Sequence, residues 1–529
     1  MQISWCRTRS PAPLSFVGNN SRQESNQNVR ESERLAFDEK QKLQTGLQMN
    51  KRDTNRQNDV RPNVLIILSD QLRRQAISCY GDPDARTPHI DKLAHKGVRF
   101  ANSCSTYPIC VPFRFTLMTG EYAHTRSIPG IEWAMSPSER TLADEFNEAD
   151  YKTVYIGKWH LDGGHGRMGS GKQCGLTPVR RANQGRWQKW FGFEIRDDPF
   201  DTYYFVDTDP TPHLIEKYQT DGLFDISINY LTNEWDRSEP FCMCLSVEPP
   251  HNPFVAPDTL QRAWEARQIE LPPNFEGRDQ ENREALILDR KRYYAMVENL
   301  DENVGRMVAF LEDQALADNT IILFVSDHGE LGGSHGLTQK QWPFEESVGI
   351  PLIICDPRYA NTHTSVFEDP TCTEDLFPTI LGLAGLAPRN QVPGIDLSSL
   401  IRGEIQKLDR ESVLLEFVSE HRQGMVFANE VWRGIRSRRF KYTVKGDKLG
   451  GTPWQFFDLD SDPFELNNLI TNQECQTELI RHHGLLCEHL RQAEDPFVLL
   501  PAFGHEGINH WNKESPNKSI QANPEGTPD

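Results

Sequence analysis

Two acidic pairs, one cysteine and a scatter of lysines and histidines could together handle an anion. Asp70 and Gln71 follow the apolar run Asn63-Val-Leu-Ile-Ile-Leu-Ser69, and Asp327 and His328 follow Thr320-Ile-Ile-Leu-Phe-Val-Ser326. Oxygen donors such as Asp70, Gln71 and Asp327 suit a hard divalent cation, and His328 can complete the set through a ring nitrogen. Of the eleven cysteines, only Cys110 is followed by Pro at the second position and Arg at the fourth. If Cys110 begins a helix, Arg114 stands one turn further on the same face, where its charge can neutralise an alkoxide. Lys158, His160, His251 and Lys340 can bind an anionic ester and its leaving oxygen, with histidine the proton donor near neutral pH. Taken singly, each residue has an ordinary explanation: a buried thiol for Cys110, a turn or helix cap for an acidic residue, a solvated charge for lysine. Their order along the chain and their common position at strand ends set them apart.

The elements that must hold these groups are legible from hydrophobic patterning. Asn63–Leu68, Thr153–Ile156, Phe241–Ser246, Thr320–Val325 and Pro351–Ile354 are continuous apolar runs, as expected for sheet strands buried on both faces. Helical patterns lie between them, around Ile90–Gly97, ending on glycine, and over Asp289–Ala315. Strands alternating with helices predict an α/β layered sheet, in which ligands bind beyond the carboxyl ends of the strands. After about residue 410 the pattern changes to short strands, Ser412–Phe417 and Trp432–Arg436, then a helix near Glu474–Gln492. This predicts a smaller C-terminal α+β subdomain containing an antiparallel sheet. The expected division is a disordered extension over 1–58, a catalytic domain over 59–410, the subdomain over 411–500 and a mostly disordered tail over 501–529. The first segment is rich in Asn, Gln, Arg, Glu and Ser, too polar to bury enough surface to offset ordering entropy.

A formal net charge of −19 argues against nucleic acid and anionic membranes as general partners. No apolar run approaches the ~18 residues of a membrane span. The first twenty residues lack the apolar core of a secretory signal, and the cysteines show no framework spacing, so a cytoplasmic protein is the simplest expectation.

The motifs have a joint likeness. From about Arg61 to about Leu469 the chain resembles the sulfatase family of the alkaline-phosphatase-like superfamily. The likeness is carried by Pro62-Asn63, Cys110–Gly120, Gly157-Lys-Trp-His160, Pro250-His-Asn-Pro-Phe254, Ser326-Asp-His-Gly329, Lys340 with Glu345-Glu346, and Phe457–Asn467. It implies an alkaline-phosphatase-like mixed central sheet flanked by helices, and hydrolysis of sulfate esters. It implies a formylglycine formed from Cys110 by a formylglycine-generating enzyme, whose hydrate attacks sulfur with one hydroxyl and releases sulfate by collapse of the other. It implies a divalent metal, usually calcium, on Asp70, Gln71, Asp327 and His328, with Arg114, Lys158, His160, His251 and Lys340 around the sulfate. Many relatives have a second Asp at the place of Gln71 and Asn at that of His328. These departures leave magnesium and manganese open as well, and leave phosphonate monoesters and phosphodiesters as alternative substrates.

From Gly163 to Phe193 there is no acidic residue, while Arg167, Lys172, Arg180, Arg181, Arg186 and Lys189 stand beside Trp187 and Trp190. Such a stretch would suit a sulfated carbohydrate; equally, its charges could pair with acidic neighbours elsewhere. Cys242 and Cys244, two apart on one strand, read as core packing. His335 reads as a turn residue, and nothing in the sequence fixes His124 or His165 in the cleft.

Overall fold

The computed structural model describes residues 61–126, 128–359, 366–419, 427, 430–447 and 450–497. The readings for residues 1–58 and 501–529 fall outside the described residues. All five strands expected before residue 410 form, four of them as β1 (Asn63–Ser69), β2 (Lys152–Lys158), β3 (Phe241–Val247) and β4 (Thr320–Ser326). These four lie in the order β4-β1-β3-β2, all parallel, at the centre of a ten-stranded sheet. Leu352–Cys355 adds an antiparallel strand beside β4, and Lys189–Phe193 a parallel one beside β2. The sheet is mixed, as expected.

Alternation along β1 explains why the run is apolar throughout. Val64, Ile66 and Leu68 enter the core on one face, Leu65 and Ile67 the core on the other. Each such side chain contributes about 1.5–3 kcal/mol on burial. Cys242 and Cys244 share the first of these cores, so both are packing residues.

The register sets the site. Ser69 at the end of β1 pairs with Ser326 on one side and Val247 on the other, and Gly157 of β2 pairs with Ser246. The four strands therefore end nearly flush, and Asp70, Lys158, Glu248 and Asp327 emerge at one edge. Gly157 must be glycine: it has φ +99°, and a Cβ there would lie 1.9 Å from the Ser246 carbonyl oxygen.

Two helices complete the frame. α1 (Cys110–Thr119) is buried along its whole length, and Pro112 sits in its first turn, where a backbone N–H has no helical partner to lose. α2 (Gln280–Asp313) opens on the Asp279 side chain, which accepts from Asn282 N at 2.8 Å. From α2, the Tyr293 hydroxyl donates to the Gln71 carbonyl at 2.7 Å and accepts from Arg73 N at 2.8 Å.

A four-stranded antiparallel sheet follows, Ser412–Phe417, Val431–Ser437, Phe440–Asp447 and Gly450–Asp458, with the helix Gln476–Gln492 packed on it. Buried charges tie it to the first sheet. Glu345 meets Arg74, Arg436 and Lys441, and Lys441 also meets Glu465 at 2.5 Å. Glu465 belongs to the Phe457–Asn467 motif, which thereby has a structural task in addition to its sequence likeness.

Candidate active site

Cys110 is the first residue of α1 and is 1% exposed. Its Sγ lies 3.2 Å from His328 Nε2 and 3.6 Å from Asp70 Oδ1. Asp70, Cys110, Asp327 and His328 each present a ligand atom, all within 4.8 Å of one another. Chain segments more than 200 residues apart thus meet at one point.

The donor set fits a divalent cation. Asp327 Oδ1 accepts the backbone N–H of Gln71 at 3.0 Å and of His328 at 2.9 Å, which fixes the carboxylate. His328 Nδ1 faces the Gly329 carbonyl at 3.0 Å. A proton on Nδ1 donated to that oxygen leaves the Nε2 lone pair facing the carboxylates, the usual second-layer control of a histidine ligand. Burial, then the negative charge of Asp70, pushes Asp327 up to about 7. Two buried carboxylates in one place call for compensating positive charge. Gln71 sits beside this cluster in the left-handed region at φ 63°. Its amide is engaged outward: Oε1 accepts from Lys340 Nζ at 2.6 Å, and Nε2 donates to Glu330 at 2.5 Å.

Fixed cations line the other side. Arg114 Nη2 is 2.9 Å from Asp70 and 3.3 Å from Asp327, while Nη1 donates to the Lys158 carbonyl and to Ser246 Oγ. Its placement one turn beyond Cys110 is as the spacing predicts. Lys158, fully buried, reaches Asp70 at 2.9 Å and Glu248 at 3.1 Å. Burial would favour the neutral amine, but Asp70 and Glu248 hold Lys158 well above its ordinary range. Burial would likewise raise Asp70, yet Lys158, His251 and Arg114 keep it well below. For the Cys110 thiol, burial and then Asp70 push it up to about 12, so the unmodified side chain stands protonated.

His160 is 1% exposed, at φ 57°, and neither ring nitrogen has a hydrogen-bond partner among the described residues. A buried imidazole without a protein partner is costly, so both ring nitrogens are free to serve a group brought to the site. His251 Nε2 lies 2.9 Å from Lys340 Nζ, and its Nδ1 is 2.7 Å from the Asn252 carbonyl. Burial, then the positive charge of Lys340, pulls His251 down to about 4. The ring is therefore neutral at rest, with Nδ1 donating and Nε2 accepting from the lysine.

Every sequence-predicted site residue is thus at or beside the carboxyl ends of the central strands. Glu248 was not anticipated, although it stands two residues past Ser246 and the same strand-end rule could have found it. The stretch from Gly163 to Phe193 had two readings. Trp187 and Trp190 are fully buried, in a cluster with Tyr155 and Trp159. Arg167 and Arg180 pair with Asp162, Arg186 with Asp144, Lys189 with Asp207 and Glu234, and Lys172 with Asp201. Arg181 instead donates to Gln184 Oε1 and the Trp187 carbonyl; with five of the six charges paired and both rings in the core, the paired-charge reading of this segment is the one the structure favours. His124 is tied to Glu416 and the Ala493 carbonyl, and His335, at φ 56°, stacks on Phe344.

Residues 62–386 match the sulfatase family model, and residues 333–492 match that for the C-terminal part of N-sulphoglucosamine sulphohydrolase. The chain is 31% identical over 446 residues to the ulvan-active sulfatase of Formosa agariphila, covering 83% of this chain and 82% of the relative. It is 24% identical over 516 residues to the N-acetylglucosamine-6-O-sulfatase of Bacteroides thetaiotaomicron, covering 82% and 87%. A crystal structure from Bacteroides fragilis, assigned to the sulfatases, superposes with a TM-score of 0.74 at 27% identity, over 84% of this chain and 98% of that one. The fold is alkaline-phosphatase-like. On the strength of the family match and of the relatives' coverage, the chain belongs to the sulfatase family and is a sulfuric ester hydrolase.

Proposed function

We propose that this sulfatase acts on sulfated carbohydrates, using a formylglycine made from Cys110 by a formylglycine-generating enzyme and a divalent cation, calcium by family habit, held among Asp70, Asp327 and His328 with Gln71 alongside. The observation that carries the reading is the 3.2 Å approach of Cys110 Sγ to His328 Nε2 and its 3.6 Å distance to Asp70. Cys110 Sγ stands where the oxygens of formylglycine would be, so nucleophile and cation pocket coincide. When bound, the cation would polarise a sulfate oxygen, and the formylglycine hydrate would supply both the attacking hydroxyl and the means of releasing sulfate.

The chain's own residues do the rest. Arg114 and Lys158 neutralise charge at the nucleophile and hold Asp70 ionised. His160, whose nitrogens have no protein partner, receives a sulfate oxygen. The proton held between Lys340 Nζ and His251 Nε2 goes to the departing ester oxygen as the S–O bond breaks, so that the alcohol leaves neutral. Support for a sulfated sugar comes from the N-acetylglucosamine-6-O-sulfatase, whose name specifies an O-sulfate, and from the N-sulphoglucosamine sulphohydrolase model, rather than from the basic stretch after Gly163.

The test is hydrolysis of an aryl sulfate, an aryl phosphonate monoester and a panel of sulfated monosaccharides by full-length protein co-expressed with a formylglycine-generating enzyme. A larger kcat/KM on sulfates, with at least one sugar sulfate turned over, is expected; preference for the phosphonate would overturn the reading. Dialysis against a chelator should abolish turnover, and elemental analysis of active protein should find one divalent ion per chain. Full activity of the metal-free protein would exclude the proposed cation.

A further inference from the structure

A carboxylate outside the family-like motifs faces the rear of the proton-donating histidine. Asp197 follows the strand Lys189–Phe193, which the apolar patterning did not reveal. Its Oδ1 lies 3.7 Å from His251 Nδ1. That oxygen is buried and has no hydrogen-bond partner among the described residues. The other oxygen, Oδ2, is 3.2 Å from His165 Nε2, and the Asp197 backbone N–H donates to Glu248 at 3.2 Å. His165 is in turn fixed through Nδ1 on the Gly169 carbonyl at 3.0 Å. Asp197 is held at φ 53°, a left-handed conformation that a non-glycine residue keeps only where its surroundings impose it.

One oxygen of Asp197 is therefore held by His165 and its backbone N–H by Glu248, while the other oxygen is directed, unused, at the ring that adjoins Lys340. At rest His251 has no need of it, because Nδ1 is served by the Asn252 carbonyl at 2.7 Å. The need arises when the proton of Lys340 moves onto His251 Nε2 on its way to the leaving oxygen. The ring then carries positive charge, Nδ1–H becomes a stronger donor, and a carboxylate nearby stabilises that state. Through its second oxygen His165 keeps Asp197 in place.

We infer that Asp197, anchored by His165, is a positioning residue for His251, supporting the transfer of a proton to poor leaving groups. The step balances: as the nucleophile's oxygen bonds to sulfur, the bond from sulfur to the ester oxygen breaks, its electron pair stays on that oxygen, and the oxygen takes the proton held between Lys340 and His251. No further reactant is required. The inference rests on the reading of His251 and Lys340 as the proton-donating pair.

Leaving-group dependence provides the test. A nitrophenolate needs little protonation to depart, whereas a sugar alkoxide needs it strongly, so loss of assisted proton transfer appears selectively on the sugar ester. Asp197→Asn is close to isosteric and preserves packing. Using full-length protein with Cys110 conversion verified by peptide mass, kcat and KM are measured on 4-nitrophenyl sulfate and on a turned-over sugar sulfate. The expected result is a fall in kcat on the sugar ester that exceeds the fall on the nitrophenyl ester by at least about tenfold, with KM little changed. His165→Gln should show the same pattern, weaker, since it only loosens the anchor. Equal losses on both esters, or a change confined to KM, would overturn the inference. Should Asp197→Asn lower the melting temperature markedly, the His165→Gln ratio decides alone. Failure of the underlying reading is distinguishable, because there Lys340→Met would show no greater loss on the sugar ester than on the nitrophenyl ester.

Discussion

Cys110→Ala removes turnover of sulfate esters by about 10⁴-fold or more while the protein stays folded. The side chain is small and buried at the start of α1, so deleting its sulfur costs on the order of 1 kcal/mol in packing. It bonds to no other cysteine among the described residues, so no cross-link is lost. Function has no substitute: within the cluster of Asp70, Asp327 and His328, Cys110 supplies the one side chain that can become a nucleophile. Sulfate release measured by ion chromatography, beside a thermal melt, checks both halves. Residual activity within tenfold of the parent, in protein free of any converted side chain, would mean that the nucleophile lies elsewhere.

Arg114→Met is expected to damage both stability and rate. The guanidinium is 1% exposed and stands 2.9 Å from Asp70 and 3.3 Å from Asp327. Removing it leaves two buried carboxylates facing each other and orphans the Lys158 carbonyl and Ser246 Oγ that it serves. Breaking a buried ion pair by deleting one partner costs about 3–5 kcal/mol, and loss of a preorganised charge at the reacting centre costs about 10²–10³-fold in kcat. Denaturant unfolding should show the larger loss in chelator, because a bound cation offsets part of the repulsion between Asp70 and Asp327. Unchanged stability in chelator would show that Lys158, 2.9 Å from Asp70, compensates the site alone.

The difference between what patterning revealed and what it did not has a physical cause. β1, β3 and β4 were legible because each is a seven-residue run buried on both faces, and such a run has few other solutions. Lys189–Phe193 and Tyr203–Val206 were not, because they extend the sheet toward its edge, where a lysine, a glycine and half-exposed residues shorten the apolar signal. The missing strand hid Asp197, whose position beyond its end places it by His251. The run of basic residues after Gly163 left two readings open for a related reason: local charge says nothing of partners such as Asp144 or Asp207, which only folding brings near. Trp187 and Trp190 became core for the same reason, since ring burial depends on which elements pack over them.

By itself the sequence determined the chemistry. A cysteine with Pro and Arg at fixed spacing, two acidic pairs at strand ends, and lysines and histidines in order specify an anion-handling hydrolase, because reactive groups must be of particular types whatever surrounds them. Tertiary structure decided which charges are free to act. Register among β1, β2, β3 and β4 brings Asp70, Asp327 and Lys158 to one edge, the Gly329 carbonyl turns His328 Nε2 inward, and His165 holds Asp197 toward His251. These are distances of a few ångströms between residues tens to hundreds apart in the chain, and electrostatics in a buried site depends on them steeply.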